Sequence, residues 1–166
     1  YNLIEKYNSV FISVGQHPEY VTNSNIITAK EILTICNNFI KVIGIGETGL
    51  DLYHSTDNLK NQIKAFESHI EASYETGIPL IIHQRNSENE IIEVLENYQK
   101  KNNLKVVLHC FTGSKNLKIL CLENDYFISG LVLLTDRFNL IKRLFQVKEY
   151  TKNGFYSICI CKYKFF

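Results

Sequence analysis

The chain contains no methionine and no tryptophan, only two prolines, and almost no excess of charge of either sign, its formal net charge being +1. Near-neutrality excludes the broad electrostatic footprint of a general polyanion binder, although a local basic groove is compatible with it. No apolar run approaches the ~20 residues needed to cross a bilayer, which excludes a membrane-spanning chain. The five cysteines follow no paired framework, so neither a disulfide scaffold nor a disulfide-linked partner is expected. Reduced thiols and a cytoplasmic location are expected instead. The sequence opens on Tyr1 with no basic-then-apolar leader, so the natural N-terminus is expected to lie upstream. What is present is ordinary globular usage, 45% hydrophobic and 21% charged over 166 residues. That is one domain or one piece of a larger one.

The first 130 residues alternate between two hydrophobic periods. Residues 9–15 form a β-branched and aromatic run ending in the turn Gly15-Gln16-His17-Pro18, a strand and the loop after it. Residues 26–39 place Ile26, Ala29, Ile32, Leu33 and Cys36 at helical steps, with Ser24 or Asn25 as the expected cap. A second buried-strand run, 41–46, stops at Gly46. Residues 59–75 set Ile63, Phe66, Ile70 and Tyr74 on one face of a helix that Gly77 ends. Strands are expected again at 79–83, 104–109 and 126–130, with helices from Ser87 through Tyr98 and over 117–122. Apolar strands alternating with helices predict a parallel sheet covered by helices. Past Gly130 the rhythm fails: 131–147 reads as one more helix, and 150–166 is rich in Tyr, Phe, Lys and Cys without a period. Residues 1–130 and 131–166 are therefore distinct segments.

Glu47, His83 and His109 each fall at or just past the end of an apolar strand, and His17 and Asp51 fall in loops expected on the same rim. In a parallel α/β sheet those ends gather on one face, where active sites are built. Imidazoles and carboxylates sharing a rim are a donor set for zinc, manganese or related ions. The other reading of each group alone is a hydrogen-bonded structural residue. His54, in a polar loop, and His69, inside an amphipathic helix, read as surface or structural. Cys110 is expected to point away from His109, as neighbours on a strand do, and to serve packing. Cys159 and Cys161, one residue apart, are too close for a common zinc knuckle.

Four ordered segments resemble the TatD family of metal-dependent hydrolases: Gly15-Gln16-His17-Pro18, Gly44 through Asp51, Pro79 through Arg85, and His109-Cys110-Phe111-Thr112-Gly113. The resemblance runs over roughly residues 8–130. It implies an α/β fold, a TIM (β/α)8 barrel of which about five of eight strands, the third to the seventh, are present. It also implies a cytoplasmic deoxyribonuclease that uses divalent ions (Mg, Mn or Zn) to hydrolyse phosphodiester bonds, with DNA as substrate. By the same resemblance Glu47 is the catalytic, metal-bridging carboxylate and His83 and His109 are metal ligands. His17 and Arg85 line the substrate side, and the guanidinium fork of Arg85 suits a phosphate oxygen. Metal-activated water would attack phosphorus while the cations and Arg85 stabilise the developing charge.

The sequence departs from the family pattern in two places that matter. It has no His-x-His pair, and no Glu-Thr-Asp motif after Gly130, where Thr135-Asp136 is the nearest echo. Asn86 replaces the Asp expected after Arg85, and Leu52 the Tyr expected after Asp51. A five-stranded arc cut from a barrel leaves two open edges and an exposed apolar interior. The expectation is a truncated or frame-shifted member, with 131–166 resembling an out-of-frame tail. The alternative to an active hydrolase is an inactive remnant retaining metal or partner binding, or a split barrel completed by a complementing fragment.

Overall fold

The computed structural model describes residues 4–54, 56–99 and 104–130, together with the backbone of 151–152, 155–156 and 159–161. Five strands, β1 (Val10–Gln16), β2 (Val42–Asp51), β3 (Leu80–Arg85), β4 (Val106–Phe111) and β5 (Phe127–Gly130), alternate with four helices. These are α1 (Ala29–Asn38), α2 (Leu59–Thr76), α3 (Glu88–Gln99) and α4 (Lys115–Glu123), and a 3-10 turn, Pro18–Tyr20, follows β1. The five strands pair in chain order and all in parallel. An order that never reverses is an arc of a barrel; a doubly wound sheet would switch direction.

Local chemistry fixes the elements. Thr28 starts α1, not Ser24 or Asn25: its hydroxyl accepts the Glu31 N–H while the Glu31 carboxylate accepts the Thr28 N–H, a reciprocal capping box. Residues 26–27 are thereby left out of the helix, and Thr22 and Asn25 instead close a small bridge. Ala29, Ile32, Leu33 and Cys36 still face the core, as their spacing predicts. Gly77 ends α2 at φ 68°, its N–H donating to the Ser73 carbonyl.

Strand alternation sends Leu80 and Ile82 of β3 and Val106 and Leu108 of β4 to the helix-covered side. There they meet Ile32, Phe66, Ile70, Ile91, Leu95 and Leu117, all without exposed surface. Burying such side chains contributes roughly 1.5–3 kcal/mol each. Ile81 and His83 face the other side of the sheet.

Further expectations change. β2 does not stop at Gly46; its register to β3 shifts between Gly46 and Thr48, and pairing then resumes through Asp51. Glu47 therefore lies within a strand, and Asp51 is a strand residue, not a loop residue. The outer edge of β1 is not open either: Phe155–Tyr156 (β7) and Cys159–Cys161 (β8) pair with it antiparallel, and Thr151–Lys152 (β6) pairs with β7. The helix expected at 131–147 lies outside the described residues.

Candidate metal centre

His17, Glu47 and His83 meet at the C-terminal ends of three adjacent strands. β1 delivers His17 just past its last residue, β2 carries Glu47, and β3 carries His83. The β1 and β2 backbones approach closely here; a Cβ on Gly15 would stand 2.6 Å from Gly46 Cα, so only glycine fits. One potential ligand atom from each of the three residues lies within 4.8 Å of the others. His83 Nδ1 is 3.1 Å from Glu47 Oε1 and 3.2 Å from His17 Nε2. Ligand atoms around a tetrahedral ion with ~2 Å bonds stand roughly 3.3 Å apart, so this spacing and this nitrogen–oxygen donor set fit a divalent cation.

The groups around the trio are themselves held. Asp51 Oδ2 lies 2.8 Å from His83 Nε2, and its Oδ1 accepts the Tyr53 N–H. The Asp51 backbone is clamped by Gln62, whose Oε1 accepts the Asp51 N–H and whose amide donates to the Asp51 carbonyl. Gln16 ties down the loop before α1, accepting the Ile27 N–H and donating to the Asn25 carbonyl. The Gln16 N–H in turn donates to Nε2 of the fully buried His69. Among the described residues the buried hydroxyls of Ser13 and Thr48 find no hydrogen-bond partner.

Burial alone would lower the His83 pKa, but hydrogen bonds to Glu47 and Asp51, and their charges, outweigh it and raise it. For Glu47, burial pushes upward, while the bond to His83 and the neighbouring His109, His83 and His17 rings carry its carboxyl below the usual range. Burial, with His83 alongside, lowers His17. The result is a carboxylate that stays ionised beside imidazoles, which is what a cation site requires.

The other residues singled out from sequence divide. Arg85 ends β3 and is exposed, its guanidinium carbon 3.5 Å from the centre of the Tyr53 ring. His109 lies outside the trio. Its Nε2 meets Cys110 Sγ at 3.1 Å and its Nδ1 meets Ser129 Oγ at 3.3 Å, although its charge reaches Glu47. Cys110 does not point away from His109 as expected. It adopts φ 48°, where the β4–β5 register is irregular, so strand alternation fails locally. Burial and the Glu47 charge raise its thiol, which disfavours a thiolate nucleophile. His54 is exposed and packs edge-on against Tyr53. His69 is structural, one of the two readings its place in an amphipathic helix allowed, and the Gln62 clamp on Asp51 had no reading from sequence. Their signal was present: Gln62, Phe66, His69 and Ser73 follow one helical face, so polar groups recur on a buried stripe.

The family model described as TatD related DNase matches residues 1–149. This chain belongs to the TatD family. An uncharacterized metal-dependent hydrolase of Buchnera aphidicola (from Acyrthosiphon pisum) is 35% identical over 157 residues, 87% of this chain and 57% of the relative. A Klebsiella pneumoniae protein named 3'-5' ssDNA/RNA exonuclease TatD is 29% identical over 122 residues, 74% of this chain and 46% of its own length. The crystal structure of the Escherichia coli K12 TatD homologue YJJV superposes with a TM-score of 0.62, covering 76% of this chain and 49% of that one. At 22% identity that likeness shows the fold alone, part of the TatD barrel. The chain spans about half the length of the curated TatD relatives it matches.

Proposed function

We propose that this TatD-family chain carries the metal-holding face of a hydrolase that cleaves phosphodiester bonds in DNA. The observation that carries the reading is the convergence of Glu47 Oε1, His83 Nδ1 and His17 Nε2 at the C-terminal rim of the sheet. Glu47 and His83 would hold the cation, with the His17 Nε2–H beside them as a hydrogen-bond donor and the His109 charge felt at Glu47. A bound divalent ion supplies charge to polarise a phosphoryl oxygen and lowers the pKa of water. The protein's own part is electrostatic and geometric. Glu47 and Asp51 orient His83 from opposite sides. Arg85, steadied by its cation–π contact with Tyr53, offers a fork of donors to a phosphate oxygen.

The test is cleavage of single-stranded and duplex DNA by the purified chain with magnesium, manganese or zinc. Glu47→Ala is expected to abolish it, and cleavage persisting in that variant would remove the reading. A second reading, a metal-binding chain without turnover, is favoured by the half-length match and by the missing His-x-His and Glu-Thr-Asp motifs. It predicts saturable manganese or zinc binding, lost in His83→Ala, with no cleavage of either substrate.

A further inference from the structure

Around His83 the hydrogen bonds have a direction, and that direction selects which ring nitrogen a cation can use. The Glu19 N–H donates to His17 Nδ1 at 3.3 Å, so the proton of a neutral His17 ring sits on Nε2. That nitrogen is 3.2 Å from His83 Nδ1, which must then be an acceptor. The opposite nitrogen, His83 Nε2, lies 2.8 Å from Asp51 Oδ2, and an ionised carboxylate can only accept. At Nδ1 two neighbours compete, the His17 Nε2–H that donates to it at 3.2 Å and the Glu47 carboxylate that would accept from it at 3.1 Å, so the shorter Asp51 contact, 2.8 Å at Nε2, decides the neutral ring: proton on Nε2, lone pair on Nδ1. Nδ1 is also the atom that faces Glu47 Oε1, at 3.1 Å.

We propose that Asp51 is a positioning residue that fixes the Nε2–H tautomer of His83, so that His83 binds a cation through Nδ1. Asp51 is built for this. It is 6% exposed, Oδ1 is fixed by the Tyr53 N–H, and both backbone groups are fixed by Gln62, leaving Oδ2 as the oxygen aimed at the ring. A ligand imidazole held from behind by a carboxylate binds metal more tightly, and losing such a partner typically weakens affinity by about 10- to 100-fold. This inference rests on the metal-holding reading above, and the measurements separate the two.

The first measurement is a nitrogen-15 correlation spectrum of the histidine-labelled full chain, metal-free, at about pH 9, where an imidazole is neutral. His83 is expected to show a protonated Nε2 and a bare Nδ1, and the reverse pattern overturns the proposal. The second is a zinc titration of the wild type and Asp51→Asn, the variant that keeps the side-chain size. Affinity is expected to fall about 10- to 100-fold, and Nδ1 is expected to be the zinc-shifted nitrogen in the wild type. Equal affinity within about twofold, or zinc on Nε2, overturns the proposal. If the wild type takes up no zinc, the hydrolase reading fails, while the metal-free spectrum still decides the tautomer. A failure of Asp51→Asn to fold leaves both wild-type spectra as the deciding data.

Discussion

His69 has no exposed surface, and both ring nitrogens are engaged: Nε2 accepts the Gln16 N–H, so Nδ1 carries the proton and donates to the Ala65 carbonyl at 2.6 Å. Protonating it would put a second N–H against the Gln16 donor inside the core. Burial accordingly lowers its pKa from 6.5 to about 4. The unfolded chain therefore takes up this proton first. Stability is full above about pH 6.5 and is lost as pH falls toward 4, by about 3 kcal/mol in total. His17, also lowered, acts in the same direction. His83, raised, acts oppositely: its contribution is complete below pH 6.5 and declines only as pH rises through its folded value. Denaturant unfolding from pH 7 to 4.5 should show the decline, and His69→Leu should flatten most of it. That variant strands the Gln16 N–H, at a cost of about 1–3 kcal/mol at neutral pH. An unchanged profile in His69→Leu would assign the acid sensitivity elsewhere.

At the level of elements, the site depends on two strands lying unusually close. Gly49 has φ 128°, and a Cβ there would stand 2.2 Å from the His83 carbonyl oxygen. Gly49→Ala combines a strained backbone with a clash against the strand that carries His83. It should cost roughly 2–4 kcal/mol and displace that ring, read as a lower unfolding midpoint together with weaker zinc binding. Thr28→Ala, which removes half of the α1 capping box far from the rim, should cost about 1 kcal/mol and leave zinc binding unchanged. These contrasts also mark where the sequence was readable. The apolar runs of β3 and β4 and the faces of α1 and α2 are short-range periodic signals that located these elements, although β3 runs on past His83 to Arg85 and β4 past His109 to Phe111. β2 looked finished at Gly46 because glycine weakens a strand locally. Its continuation to Asp51 depends on β3 supplying the partner on the far side of the register shift. His17 lies on the rim where its turn after β1 placed it, but what holds it there was hidden. Gln16 and His69, 53 residues apart, lock the loop that carries it. The αL turn at Cys110 defeated simple alternation and gave His109 a thiol neighbour.

For the molecule as a whole, the two edges of the parallel arc are managed differently. The β1 edge is paired antiparallel by β7 and β8. At the other end β5 is the terminal strand of the sheet among the described residues, with Phe127 71% and Ile128 39% exposed. Nearby in sequence, α4 exposes Leu122 and Ile119. In a closed barrel every strand has two neighbours and its apolar residues are covered from both sides. Curated TatD relatives are about twice the length of the stretch matched here, enough chain to provide such neighbours. An edge strand bearing large apolar groups templates pairing with another chain. The purified chain should therefore associate in a concentration-dependent way, seen as rising mass by light scattering between micromolar and higher concentrations. Phe127→Lys places a charge on that edge and should shift the distribution toward monomer without altering zinc binding, since residue 127 opens β5 while the metal centre is built on β1, β2 and β3. A wild-type chain monomeric at every concentration, or a Phe127→Lys chain that associates equally well, would show that β5 does not direct assembly.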